Sequence, residues 1–171
     1  MLLLISDANI LMDIEVGDLA APMFSLGYQF AVPDVLYYEE LEWQHAHLLD
    51  MGLQIRTLSA KSVERVQTLS KTYRKPGRID LFALALAEVE RCPLLTGDAA
   101  LRQAAEKEQV EVKGTVWLIS EMVQQQRITV TVARAALRKM RVNGRRLPWD
   151  AAEQMLVALD EASPSNQQGK K

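Results

Sequence analysis

The chain has 171 residues, of which 49% are hydrophobic and 25% are charged. That length allows one domain with a sizeable core and a small addition, and the composition excludes general disorder. The formal net charge of −2 excludes a protein that binds nucleic acid through overall positive charge, so any such contact must come from local patches.

The apolar run at residues 1–5 is too short for a membrane span and lacks the basic flank of a signal peptide. The single cysteine, Cys92, can form no internal disulfide, and no cysteine pair exists to bind zinc. We therefore expect a cytoplasmic protein in a reducing compartment, without membrane association.

In chain order, the first elements alternate strand and helix. Apolar runs at 2–5 and 28–32 predict strands, the first of them buried on both faces. Pro33 ends the second strand, and Asp34 is available as the N-cap of a helix over 34–49. Alternating residues at 53–58 predict a third strand, after which Ser59 caps another helix.

The basic segment 71–78 is predicted to be a loop, and the apolar segment 79–89 a buried helix. A strand at 94–96, a helix at 99–108 and a strand at 110–112 follow. This alternation predicts a three-layer α/β/α fold with a central parallel sheet over residues 1–125. Helices at 128–141 and 149–161 form a C-terminal helical extension over 126–162, and the polar residues 163–171 form a disordered tail.

Acidic residues stand at the expected carboxyl-terminal edge of this sheet. Asp7 ends the first strand, Asp98 follows the strand at 94–96, and Asp80 begins the buried helix. Each of them alone is more typical of a helix cap or a turn. Together they predict a site for a divalent cation, because carboxylates that share a pocket repel one another and a hard cation prefers oxygen ligands.

The motifs at these positions resemble those of PIN domains. The opening Asp7-Ala8-Asn9 is similar to the family's Asp-x-Asn motif, and the segments 80–87 and 94–98 are similar to its third and fourth motifs. Glu40-Leu41 matches the family's second acid, with Glu39 as the competing assignment. The order of the motifs and the helical extension resemble VapC-like ribonucleases and, within the family, the DUF3368 subgroup.

The resemblance implies a nuclease that uses Mg²⁺ or Mn²⁺, with Asp7 and Asp98 as the principal ligands. Glu40 and Asp80 would complete the site through a second metal or through bound waters. The other expected contributors are two polar residues that orient ligands or water, Asn9 and Thr96. The alternatives are an Asx turn for the asparagine and an ordinary strand-end hydroxyl for the threonine.

The implied function is a metal-dependent endoribonuclease that hydrolyses single-stranded RNA, and the resemblance also implies a toxin role with an antitoxin partner. A homodimer formed through the extension is a further hypothesis. The alternative is a PIN-like scaffold of little activity that binds RNA or a protein.

Two basic clusters are candidates for RNA contact, although a solvated basic face is the commoner explanation of such clusters. They are Lys71, Arg74, Lys75 and Arg78 in the loop, and Arg138, Lys139, Arg141, Arg145 and Arg146 in the extension.

Several charged residues are predicted to lie outside the site. Asp13, Asp18 and Asp34 fit surface or capping positions, although Asp13 is close enough in sequence to Asp7 to remain a candidate. His45 and His47 would point about 200° apart on a regular helix, which argues against a metal site. Arg102, four residues after Asp98, could pair with a site carboxylate.

Overall fold

The computed structural model describes residues 1–163. The strands are β1 (Leu2–Ser6), β2 (Tyr28–Pro33), β3 (Gln54–Arg56), β4 (Leu94–Leu95) and β5 (Val112–Lys113). The α-helices are α1 (Ala8–Val16), α2 (Ala20–Phe24), α3 (Asp34–Leu36), α4 (Glu42–His45), α5 (His47–Met51), α6 (Ala60–Thr72), α7 (Arg78–Glu90), α8 (Ala99–Lys107), α9 (Thr115–Gln124), α10 (Val130–Val142) and α11 (Trp149–Glu161). A single π-helical turn, Tyr37–Leu41, joins α3 to α4.

The five strands form one parallel sheet in the order β3-β2-β1-β4-β5. The central strand β1 pairs with β2 from Leu2 to Ile5, and Ile5 and Ser6 pair with β4. Parallel strands require crossover segments, and helices fill each of them here. The predicted α/β class, with a central parallel sheet flanked by helices, is confirmed.

The core around the sheet is aliphatic. Leu4 and Ile5 of β1 are fully buried, as the apolar run predicted, whereas Leu2 at the start of the strand is 44% exposed. Helix α7 lies against β1, β2 and β4, and its residues from Leu81 to Ala87 are all buried. None of the helices in the described part of the chain has the length and apolar content needed to cross a membrane.

The chain divides into two compact units. The first is Met1–Met12 with Gly27–Gly114 and contains the whole sheet. The second is Asp13–Leu26 with Thr115–Lys171, and within it α9 contacts α2, α10 and α11. The predicted boundaries at residues 125 and 162 stay a prediction. All of the predicted disordered tail except Ser163 lies outside the described residues.

One predicted element differs in kind from the observed one. The single helix expected over 34–49 is instead α3, the π-helical turn and α4, and α5 begins only after a turn at Ala46. Pro33, not Asp34, occupies the N-cap position of α3. The Asp34 carboxylate accepts a hydrogen bond from the Val35 amide 2.7 Å away, so Asp34 already belongs to the first turn. The Ser59 cap is as predicted, since its hydroxyl accepts from the Ser62 amide.

Candidate active site

The strand order contains one switch point, between β1 and β4. After β1 the chain adds β2 and β3 to one edge of the sheet, and it then crosses to the other edge of β1 to add β4 and β5. In open parallel sheets, ligands bind beyond the carboxyl ends of the strands at such a point. Asp7 directly follows β1, and Asp98 lies three residues after β4. The amide of Asp7 donates to the Leu95 carbonyl at 3.0 Å, which ties the two strand ends together.

The Asp7 carboxylate is buried, with 1% of the residue exposed. Its Oδ1 accepts a hydrogen bond from the Ile10 amide at 2.9 Å, at the start of α1. Its Oδ2 accepts from the Thr96 hydroxyl at 2.5 Å. Donors on both oxygens fix the direction of the carboxylate plane, so Asp7 is a rigid acceptor at the switch point.

Thr96 connects the two aspartates that follow the central strands. It is fully buried, and while its hydroxyl donates to Asp7 it also accepts from the Asp98 amide at 3.1 Å. Asp98 then caps α8, because its Oδ1 accepts from the Leu101 amide at 2.8 Å. Its Oδ2 has no hydrogen-bond partner within residues 1–163, and the residue is exposed. Asp98 therefore combines the predicted capping contact with an oxygen that can still bind a ligand.

Asp80 and Glu40 extend the acidic set. Asp80 lies half-buried in the first turn of α7, and its pKa is raised first by burial and then by the charge of Asp98. The pKa of Glu40 is raised by partial burial, then by Asp80 and then by Glu39. These effects reveal repulsion along a series of neighbouring carboxylates, from Glu40 through Asp80 to Asp98.

The π-helical turn decides how the two glutamates are presented. In a regular helix over 34–49, Glu40 would share one face with Leu36 and Trp43, and the observed segment does not have that geometry. Leu36 is buried, whereas Trp43 is 94% exposed, because the π-helical turn changes the angular spacing between them. Glu39 and Glu40 are both exposed, so the assignment between them stays open.

The chemistry of the donor set fits a hard divalent cation. All of the candidate ligands are carboxylates, and the mutual repulsion between Glu40, Asp80 and Asp98 is the kind that a cation relieves. Within residues 1–163, however, no three acidic, histidine or cysteine side chains lie close enough to form a ready-made metal cage.

Asn9 and the two histidines lie in helices of the first unit. Asn9 is exposed in the first turn of α1. His45 and His47 were expected to point apart, but their ring centroids lie 6.3 Å apart, because the turn at Ala46 interrupts the helix. Neither histidine belongs to a metal-binding group in the described part of the chain.

Asp13 was predicted to be a surface or capping residue, and this is wrong. It is only 6% exposed, and its Oδ2 accepts from the Thr115 hydroxyl at 2.8 Å. Its Oδ1 accepts from Nε of Arg145 at 2.6 Å. Arg145, one of the candidates for RNA contact, therefore forms an ion pair with Asp13. No local sequence pattern indicates this pairing, because Thr115 and Arg145 lie more than a hundred positions from Asp13.

Arg102 does not form the predicted pair with a site carboxylate. Its Nη2 lies 3.5 Å from the carbonyl oxygen of Thr96, and it makes no ion pair within the part of the chain that the structure describes. The basic segment 71–78, predicted to be a loop, is one only in part: Lys71 lies in the last turn of α6 and Arg78 begins α7, with Arg74 and Lys75 between the two helices. All four side chains are exposed, and the Arg78 guanidinium stands 5.3 Å from the centroid of the Phe82 ring.

Comparison with known proteins identifies the family. The family model described as DUF3368, PIN domain, matches residues 3–161. No curated protein matches the chain. A PilT N-terminus domain protein from the hyperthermophilic archaeon Sulfolobus solfataricus P2 is a structural neighbour at 14% identity and a TM-score of 0.47, covering 72% of this chain and 94% of that one. Because the family model covers nearly every described residue, the chain belongs to the PIN-domain family, in the group described as DUF3368.

Proposed function

We propose that the protein is a Mg²⁺- or Mn²⁺-dependent endoribonuclease that hydrolyses single-stranded RNA. PIN domains are generally nucleases and commonly use divalent metals, and this supports the proposal at the level of the family. One observation carries it to this chain: the Thr96 hydroxyl joins Asp7 to the amide of Asp98 at the switch point of the sheet. Asp80 and Glu40 add negative charge beside Asp98.

In this proposal Asp7 and Asp98 hold the cation, with Asp80 and Glu40 acting directly or through waters. A cation held there would supply two things, an activated water and compensation of the negative charge that develops on the phosphoryl oxygens. Thr96 positions Asp7 by its hydroxyl and Asp98 by its amide contact. The N-terminus of α8, which Asp98 caps, adds positive potential on the side where a phosphate oxygen would bind.

The test is cleavage of a labelled single-stranded RNA in Mn²⁺ and in EDTA, by the wild-type protein and by Asp98→Asn. Asparagine keeps the Oδ1 that caps α8 and removes the charge, so the fold should survive. We expect no cleavage in EDTA and a fall in kcat of about a hundredfold or more in the variant. Asp7→Asn should lose activity as well, but it also alters a buried hydrogen bond, so its melting temperature must be checked.

Asp18→Asn is the matched control, since Asp18 is an exposed aspartate that pairs with Lys139. It should cleave as the wild type does. Cleavage that ignores EDTA and persists in Asp98→Asn would refute the proposal, and no cleavage by the wild type would favour the scaffold that binds RNA or a protein. The antitoxin partner, the toxin role and the homodimer stay predictions.

A further inference from the structure

A groove of about 390 Å³ lies between α10 and α11, within the second unit. We refer to it as the α10–α11 groove, and its polar lining includes Arg134, Arg138, Arg141, Trp149 and Glu153. Helix α10 carries four basic residues and no acidic one. In a chain whose net charge is −2, this is a local concentration of positive charge.

Some of these cations are already neutralised. Arg134 pairs with Glu153 at 3.4 Å and with Asp160 at 3.2 Å. Lys139 pairs with Asp18. Arg134 and Lys139 therefore form ion pairs within the second unit.

Arg138 and Arg141 are different. Both side chains are exposed, and neither forms an ion pair with any acid of residues 1–163. Two guanidinium groups three positions apart on one helix lie on neighbouring parts of its surface. Each presents several N–H donors in a plane that matches the oxygens of a phosphate group.

Trp149, the first residue of α11, supplies an aromatic surface at the same groove. The Arg141 guanidinium lies 5.2 Å from the centroid of its ring, and the ring is partly exposed. Proteins that bind single strands combine a positive groove with aromatic side chains on which bases stack. A duplex hides the faces of its bases, so this combination fits a single strand best.

We propose that the α10–α11 groove binds single-stranded RNA, with Arg138 and Arg141 on phosphates and Trp149 against a base. The inference rests on the proposed ribonuclease function, because it assigns a second surface of the chain to binding of the substrate strand. It also separates Arg138 and Arg141 from Arg145 and Lys139, whose charges are used within the protein.

The experiment measures binding of a short, unstructured, fluorescein-labelled RNA to the full chain in EDTA, where cleavage is absent. Arg138→Ala/Arg141→Ala should weaken binding about tenfold or more, and the slope of log K against log salt should fall by about 1.4, for two phosphates on a single strand. Trp149→Ala should also cost about tenfold, while Trp149→Phe keeps most of the affinity because an aromatic ring remains.

Lys61→Ala/Lys139→Ala is the control, since it removes the same total charge from exposed sites on α6 and α10. Its affinity should stay within about twofold of the wild type. An equal loss in the control, no loss in the arginine double variant, or no binding by the wild type would each overturn the inference. Circular dichroism of every variant keeps a folding defect apart from a binding defect.

Cleavage kinetics in Mn²⁺ distinguish this inference from the proposed function. If the arginine double variant raises KM and leaves kcat unchanged, both proposals are supported. If the wild type cleaves RNA and the double variant has an unchanged KM, the groove is refuted while the ribonuclease stands. If the wild type binds through the groove but cleaves nothing, the ribonuclease is refuted and the groove remains the RNA-binding site.

Discussion

Two buried aspartates, Asp7 and Asp13, accept similar hydrogen bonds and lie at different places in the fold. Each accepts a hydrogen bond from a buried threonine hydroxyl, Thr96 for Asp7 and Thr115 for Asp13. Asp13 also receives the guanidinium of Arg145, which neutralises its charge. Asp7 instead lies at the strand end where the acidic set of the candidate site begins.

The difference shows how a buried carboxylate can be assigned a role. A carboxylate whose charge is neutralised by a guanidinium has a structural role. Carboxylates whose neighbours are other carboxylates, as Asp80 is beside Asp98, raise the energy of the folded state unless a cation joins them. The surplus of negative charge, more than burial or hydrogen bonding, separates the candidate active site from the structural aspartate.

The largest expected effect on stability comes from substitution of Asp13, the aspartate that is paired with Arg145. Asp13→Asn should lower the free energy of unfolding by about 3 kcal/mol, because it removes the buried negative charge that the Arg145 guanidinium contacts. The melting temperature should fall by about 6 to 12 °C. Asp18→Asn breaks an exposed ion pair with Lys139 and should cost at most about 1 kcal/mol. Equal losses from the two variants would contradict the assignment of Asp13 as a structural charge.

The two threonines offer a closer comparison. Thr96→Val and Thr115→Val each remove one donor to a buried aspartate, so each should cost about 1 to 2 kcal/mol in a denaturant titration. Only Thr96→Val should also lower RNA cleavage, by about 10- to 100-fold, since it alone positions the candidate ligands. A similar loss of activity in both variants would show that the effect comes from stability and not from position.

A smaller effect is expected from the cation itself. Mg²⁺ at ten times its Kd should stabilise the wild-type protein by about 1.4 kcal/mol, because it binds the folded chain. Thermal melting with and without Mg²⁺ measures this. The shift should vanish in Asp98→Asn and persist in Asp18→Asn. An undiminished shift in Asp98→Asn would place the cation elsewhere.

The smallest effect has the opposite sign. Asp80→Asn should leave stability unchanged or raise it by about 0.5 kcal/mol, because it removes a carboxylate that is repelled by Asp98. The same variant should lose cleavage activity. A clear loss of stability, measured by the same denaturant titration, would show that the charge of Asp80 stabilises the fold, as that of Asp13 does.

The elements that could be predicted from the sequence are those with a clear local pattern of apolar residues. The apolar runs at 2–5 and 28–32 predicted β1 and β2, and the apolar segment at 79–89 predicted α7, because burial on all sides leaves a continuous apolar signature. Asp7 and Asp98 could be predicted as candidates for the same reason, since each follows a recognisable strand.

What sequence reasoning could not supply depends on distant partners. Asp13 was misassigned because Thr115 and Arg145, which surround it, are separated from it by most of the chain. Nothing in the residue types or the local sequence around Thr115 and Arg145 indicates that they contact Asp13. The same holds for Arg138 and Arg145, which are indistinguishable as basic residues until their partners are known.

The π-helical turn at Tyr37–Leu41 bears on how this segment changes in evolution. A turn of this kind accommodates one residue more than an α-helical turn, and such turns arise by a single insertion into an existing helix. Leu36 before the turn and Leu41 at its end are buried, whereas Tyr38, Glu39 and Glu40 between them are exposed. Glu39 and Glu40 can therefore exchange positions in an alignment when one residue is gained or lost, without disturbing the core. A helix that tolerates such a change can alter the position of a carboxylate at little cost to the rest of the fold.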